Sequence, residues 1–410
     1  MTAALSGYLL VPATPAQDLI ATKREHLEWG APLLTEDQFI TREKSVLDRT
    51  DFSRNRRQRW VLVPADNTTT QDFLSACETY RRPILFKRPG KGRVESGWGY
   101  SVCSVFVPEG KRRMGYAWQM MTLLRENLKP KRAVRPGDLV EGLDERKGEL
   151  GEDVRYGSNA TLSFLYSDVG QYYKKFGWQV VGNRHVEWPP LSEGDSPVRL
   201  PEGAKWLEPE ELREVGRMDR EFLLSQLQTP CSPGDGKIRF CLDDPEATSW
   251  RWLIKRSSFY ATTLLPESAP KPKHFGLYLP SISGKGDESY AVCMFDHIER
   301  KISILRFRFS SPQAFQVLIG AIRGQARQFG MKKCLAWNLN LASLGVELSE
   351  DDDQKLKAGE KVQGYQDKLK GGQVVERQGS GASLPALAWY ADKQEGEDVE
   401  WVCNEHGWWC

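Results

Sequence analysis

Polar and apolar residues follow two periods along this chain, one near 3.6 and one of 2, and caps and breakers mark where one gives way to the other. Thr14-Pro15-Ala16-Gln17 is a capping box with proline at the first helical position, so a helix is predicted to about Trp29. A second box, Thr35-Glu36-Asp37-Gln38, predicts a helix toward Leu47. The basic run from Arg54 to Arg59, read as a solvated loop, leads into the apolar strand 60–65. A helix containing Cys77 is then expected before a strand at 83–88. Glycines 90, 92, 97 and 99 punctuate the turn before 100–107, whose β-branched run predicts a central strand. Ala117, Met120, Met121 and Leu124 fall at i, i+3, i+4 and i+7, an amphipathic helix directly after that strand.

Residues 129–157, rich in Lys, Arg, Glu and Gly, read as a solvated insertion, and a strand resumes at 162–166. Val169, Tyr172, Tyr173 and Phe176 repeat the helical spacing, with Asp168 placed to cap the start and Gly177 to stop the end; short strands follow at 178–181 and 184–188. The Pro- and Gly-bearing stretch 189–203 is the strongest linker signal, which divides the chain into 1–190, a linker at 191–205, and 206–410. Beyond it the plan repeats: helical segments at 208–228 and 245–257, strands at 275–279, 289–296 and 301–309, a helix at 312–329 and a strand at 333–338. The polar stretch 350–382 reads as a mobile loop, and the aromatic end VEWVCNEHGWWC is expected to dock.

The 410 residues give room for two or three domains. Fifty-seven Lys and Arg stand against 55 Asp and Glu, a net charge of +2 with no basic arm, so electrostatic capture of nucleic acid is not suggested. No apolar run reaches the ~18 residues of a membrane span and the N-terminus lacks the pattern of a signal peptide, so neither a membrane nor an export route is expected, and the default address is cytoplasmic. Eight cysteines (77, 103, 231, 241, 293, 334, 403 and 410) include no CxxC pair, so reduced, mostly core thiols are expected and no metal site. The five histidines are too scattered to form a constellation.

Chemistry concentrates where the central strand ends. Val107-Pro108 is followed by Glu109-Gly110-Lys111-Arg112-Arg113-Met114-Gly115-Tyr116-Ala117 and a helix. A glycine for close backbone approach, a small residue at the helix start, unpaired helix-start amides and three cations together make a pyrophosphate cradle. About fifty residues on comes Tyr173-Lys174-Lys175-Phe176-Gly177-Trp178. On these two motifs the chain resembles the GNAT acetyltransferase superfamily: Arg112, Gly115 and Ala117 match its R/QxxGxG/A loop, and residues 173–178 match its YxKxGF motif. One extra residue before the loop and Ala117 in place of the last glycine depart from the pattern. The run 165–182, the related second half and the length further resemble the fungal L-lysine N6-acetyltransferases.

The resemblance implies an α/β (α+β) fold, a mixed twisted sheet flanked by helices, followed by a degenerate GNAT-like second domain without a cofactor loop, where Ser310-Ser311-Pro312 merely caps a helix. It implies acetyl-CoA as co-substrate, held by the backbone of Val105, Phe106 and Val107 and by Arg112, Arg113, Met114, Gly115, Tyr116 and Ala117, with Tyr173 protonating the departing thiolate. The acceptor it implies is a small-molecule amine, the side chain of free L-lysine, in lysine degradation. A protein-lysine or polyamine acetyltransferase and a non-catalytic acyl-CoA-binding module are the alternatives. An ammonium of ordinary pKa ~10.4 must lose a proton before it attacks, so a base is also needed. Glu95, Asp168, a water chain and the C-terminal carboxylate of Cys410 are the candidates, and Trp98 and Tyr100 either line the amine slot or pack.

Overall fold

A computed structural model of the chain describes residues 7–130, 158–229, 236–281, 286–393 and 397–410. Nearly all of the expected insertion at 129–157, and Cys231, lie outside them.

Among the described residues the strands form two sheets of nine and seven members. The first runs β1 (Tyr8–Pro12), β2 (Arg57–Pro64), β3 (Ser75–Lys87), β4 (Glu95–Phe106), β5 (Leu162–Val169), β15 (Ser380–Trp389) and β6 (Gln179–Val180). The second half of β3 also takes β9 (Lys237–Leu242), which pairs with β16 (Asp398–Trp401). The second sheet runs β14 (Gln373–Glu376), β7 (Arg184–Trp188), β13 (Lys333–Trp337), β12 (Lys301–Arg308), β11 (Ser289–Asp296), β10 (Gly276–Leu279) and β8 (Lys205–Leu207). Sheet membership thus crosses the 189–203 stretch in both directions: β7 precedes it and joins the second sheet, while β9, β15 and β16 follow it and join the first.

Most pairs are antiparallel. Two parallel pairs matter for the site, β4 with β5 and β12 with β13. Parallel neighbours need a long crossover, supplied by α3 (Tyr116–Leu128) in the first case and α6 (Pro312–Gln328) in the second. The remaining helices are α1 (Pro15–Trp29), α2 (Glu36–Ile40, continuing as a π-helix Thr41–Leu47), α4 (Leu212–Gln228), α5 (Thr248–Leu264) and α7 (Glu350–Lys357). Both predicted capping boxes are formed, with Thr14 accepting from the Gln17 amide and Thr35 from the Gln38 amide, and Ser311 caps α6.

One face of the first sheet packs on α3: Trp60, Tyr100, Val102 and Leu165 meet Met120, Met121, Leu124 and Phe176. The other face, with Tyr80, Ile84, Phe86 and Phe164, belongs to a core that continues through Val292, Ile304 and Ala336 of the second sheet. The two sheets therefore share apolar burial and hold each other in register.

Four expectations need correction. Cys77 lies in β3, a strand and not a helix. Its polar partners misled the periodicity, because Glu78 and Arg82 are buried against distant groups instead of facing water. Nor is the basic run a solvated loop throughout: Arg57 and Arg59 sit in β2, and Arg59 is 4% exposed between Glu25 and Glu78. The stretch 350–382 holds α7, β14 and the start of β15, anchored by a Ser349–Asp352 capping box. Finally, Asp168 and Val169 belong to β5, and the helical turn is a 3-10 element, Tyr172–Phe176. Asp168 caps nothing there; it accepts the Ser383 amide and hydroxyl, at 2.9 and 2.8 Å. The stop at Gly177 is as expected, with φ +96°. Among the described residues no helix is long and apolar enough to cross a membrane.

Candidate active site

β4 and β5 pair in parallel from Gly99–Leu162 to Val102–Leu165 and then part, although β4 continues to Phe106 and β5 to Val169. The parting has a local cause. The register of β4 against β3 slips between Ala76 and Glu78, and Ser104 takes φ +50°, so a bulge swings the end of β4 away from its parallel neighbour. Val105, Phe106 and Val107 form the lip of the resulting opening, as Cys103 to Phe106 part from Tyr166 to Val169.

At the mouth, the loop from Val107 turns into α3. Gly115 is the N-cap at φ +85°, a conformation that favours glycine, and Arg113 before it sits at φ +67°. The first backbone bond of the helix runs from the Gln119 amide to the Gly115 carbonyl, so the amides of Tyr116, Ala117 and Trp118 form the donor-rich end that every helix start leaves. Arg112 is half-exposed; its Nε donates to the Val107 carbonyl at 3.1 Å and Nη2 pairs with Glu28 at 3.1 Å. Met114 is 59% exposed beside it. The six loop residues singled out in the sequence thus surround one helix end next to the opening.

Tyr173 lies on the α3 face of the sheet, against Tyr172 and Phe176 at ring separations of 5.2 and 6.5 Å. Burial pushes its phenol above the ordinary value, helped by Tyr172, so it keeps its proton through the neutral range. Trp98 and Tyr100 point to this same side and pack; the Tyr100 hydroxyl donates to Asn159 at 2.6 Å. Glu95 is remote, at the opposite end of β4, beside Arg88 at 3.5 Å.

The opposite face of β3, β4 and β5 carries groups that the sequence alone did not single out. Glu78 accepts from the Ser104 hydroxyl at 3.2 Å and from the Cys103 thiol at 3.8 Å. Burial opposes its charge, but the guanidiniums of Arg57 and Arg59 prevail and hold it at about 2. Arg57 also reaches Asp18 at 2.7 Å, so a buried ion network backs the bulge.

The chain end is docked on this face. Trp408 is 2% exposed, its indole donates to the Cys403 carbonyl at 2.8 Å, and Arg82 donates to the Trp408 carbonyl at 3.2 Å. The Cys410 thiol hydrogen-bonds with the Cys103 thiol and the Ser101 hydroxyl, which together with Arg82 lowers its pKa. Upstream, Glu405 takes the Phe307 amide at 2.7 Å and pairs with Arg306, which also holds Asp219 at 2.8 Å. All seven described cysteines are free thiols.

A family model described as the LYC1 GNAT-like C-terminal domain matches residues 185–410, more than half of the chain. A lysine acetyltransferase of Yarrowia lipolytica is 25% identical over 413 residues, covering 94% of this chain and 95% of that one. Among solved structures, a conserved protein of Enterococcus faecalis V583 is similar with a TM-score of 0.47 and 10% identity, over 94% of this chain and 73% of that one. A GCN5-related N-acetyltransferase from Kribbella flavida has a TM-score of 0.43 and 15% identity, over 93% and 72%. With the family model spanning the second sheet and the docked tail, the chain belongs to the LYC1-like family of GNAT N-acetyltransferases.

Proposed function

We propose that the protein transfers the acetyl group of acetyl-CoA to the N6 amine of free L-lysine, a catabolic acetylation. Residues 1–190 then supply the acetyl-CoA site and residues 206–410 complete the amine pocket, the two exchanging strands across 189–203. One observation carries the reading: the opening between β4 and β5 has the helix-start loop at its mouth, a protonated phenol on one side and the chain end on the other. The name of the Yarrowia lipolytica relative supports lysine as the acceptor.

The loop fits the co-substrate by its chemistry, since a left-handed glycine and unpaired helix-start amides suit an anionic oxygen. Arg112, Arg113, Met114, Gly115, Tyr116 and Ala117 would hold the pyrophosphate, with Arg112 exchanging its contact to Glu28 for phosphate. Acetyl-CoA supplies an activated acyl group. Backbone amides of Val105, Phe106 and Val107 stabilise charge as it develops on the carbonyl oxygen. The Tyr173 hydroxyl donates its proton to the departing sulfur. Of the bases considered, Glu95 is at the wrong end of β4 and Asp168 is occupied by Ser383. The ammonium proton therefore leaves toward the chain end at Cys410, directly or through water.

The test is an acetyl-release screen over free amino acids, polyamines and lysine-containing peptides. L-Lysine should have the highest kcat/KM, with N6-acetyl-lysine as the product by mass spectrometry. Preference for a polyamine or a peptide, or no turnover with any amine, would overturn the reading.

A further inference from the structure

Five arginines are buried among the described residues: Arg42, Arg59, Arg82, Arg306 and Arg377. Four have acids to balance them. Arg42 pairs with Glu43, Arg59 with Glu25 and Glu78, and Arg306 with Asp219 and Glu405. Arg82 has the buried Asp244 as its main electrostatic partner. Arg377, at 8% exposure, has none among the described residues. It donates only to carbonyls, those of Ser383 at 2.7 Å, Ala382 at 3.3 Å and Gly182 at 3.3 Å, and its Nε is buried without a partner. A buried guanidinium facing only neutral acceptors is an arrangement that proteins ordinarily complete with an anion.

The surroundings indicate where that anion sits. The Arg377 guanidinium lies 3.8 Å over the Trp337 ring, and Trp337 in turn lies 5.7 Å from the ring of Tyr166. The Tyr166 hydroxyl is a second buried polar group with no partner, and it interacts electrostatically with Cys410, Arg82 and Arg377. Asn404, 5% exposed, adds an unpartnered Oδ1 while its amide holds the Val181 carbonyl at 2.8 Å, next to the Gly182 carbonyl that Arg377 holds. A cleft of about 510 Å³, lined by Gly182, Asn183, Asn338 and Leu339 among others, adjoins this network at Gly182, whose carbonyl Arg377 holds. Tyr166 stands in β5 just past the last residue paired with β4, so the rings of Tyr166 and Trp337 lead from the parting of the strands to Arg377.

Resting on the lysine reading above, we propose that Arg377, with the Tyr166 hydroxyl, anchors the free carboxylate of the acceptor and so restricts the enzyme to amino acids. Two donors left unpaired in the interior become paired when a carboxylate enters, with Asn404 Oδ1 available to its α-ammonium. An acceptor without a carboxylate leaves the guanidinium buried and unmatched, a difference that acts on selectivity more than on turnover of the bound amine. Burial alone lowers the Arg377 pKa to about 10, as expected of a cation with no acid beside it.

The test compares L-lysine with 1,5-diaminopentane, which keeps the chain and amine but lacks the carboxylate. The wild-type protein should prefer L-lysine by at least ~100-fold in kcat/KM, the scale of a buried polar group left unpaired. Arg377→Gln should lose at least ~30-fold on L-lysine and change less than ~3-fold on the diamine, with Arg377→Lys recovering part of the loss. Because Arg377 also ties 182 to 382–383, Tyr166→Phe is the second probe; it removes only a hydroxyl and should shift the same ratio in the same direction. Equal use of the two amines by wild type, or equal losses on both amines in variants of matched melting temperature, overturns the anchor while leaving acetyl transfer intact. If no amine is acetylated the function reading fails separately, and calorimetry decides the anchor. L-Lysine binding that is tighter than diamine binding and lost in Arg377→Gln supports it, and equal or absent binding overturns it.

Discussion

In the first sheet β4 and β5 part beyond Val102 and Leu165; in the second, β12 and β13 part beyond Ile304 and Ala336. Each opening follows a parallel pair joined by a crossover helix, and each has a helix starting beside it. What fills them differs. The first has the glycine-bearing basic loop 112–117 at its mouth and leaves the end of β4 free of β5. At the second the helix start is closed by the Ser311 cap, and the chain's own tail occupies the place: Glu405 takes the Phe307 amide, and Gly407 packs so tightly on Trp250 and the Leu305 carbonyl that a Cβ would lie 2.5 and 2.6 Å from them. The same topology thus leaves an open, donor-rich mouth in one sheet and makes an anchor in the other, and the anchor carries Cys410 across to the first opening.

The largest effect should come from releasing the anchor. Glu405→Ala leaves Arg306 with one acid and the Phe307 amide unmatched in the interior, which costs ~3 to 5 kcal/mol for an interrupted buried pair. A melting temperature lower by on the order of 10 °C is expected by calorimetry. An unchanged transition would mean that the tail is not held there. Next, Tyr173→Phe should lower kcat on the order of 10²-fold without weakening acetyl-CoA binding. Since burial raises this phenol, wild-type kcat should show no loss of the acid below about pH 10. A mutant with wild-type turnover would return Tyr173 to a packing role. A smaller effect, several-fold in kcat/KM for lysine, is expected when a short polar extension follows Cys410, against an N-terminally tagged control of matched stability. Equal values would confine the tail to anchoring.

Much of this contrast was legible from local signals. Thr14, Thr35 and Ser311 announced their helices by caps, and the loop 112–117 declared itself because strand, cations, glycine and helix are contiguous. β3 was not legible: Glu78 and Arg82 look like a solvated helix face until Arg57, Arg59 and Trp408 arrive from 19 or more residues away. β15 was missed for a similar reason, since its partner β5 lies more than two hundred residues earlier and nothing in a local pattern reports such a pairing. Arg377 gave no sequence signal, and Tyr166 was only one residue of the run 165–182. What sets them apart is visible only in the folded interior, where Arg377 has no acid beside it and the Tyr166 hydroxyl has no hydrogen-bond partner.

The central claim is that one opening binds the co-substrate and the other is closed by the tail. Calorimetric titration with acetyl-CoA tests it most directly, on the wild-type chain and on Arg112→Glu, which sets a negative charge against the pyrophosphate. One acetyl-CoA per chain is expected, with affinity at least ~10-fold weaker in the variant, since losing a charge-assisted contact costs ~1.5 to 3 kcal/mol before repulsion is added. Two equivalents per chain, or a folded Arg112→Glu variant that binds as tightly as wild type, would contradict the account.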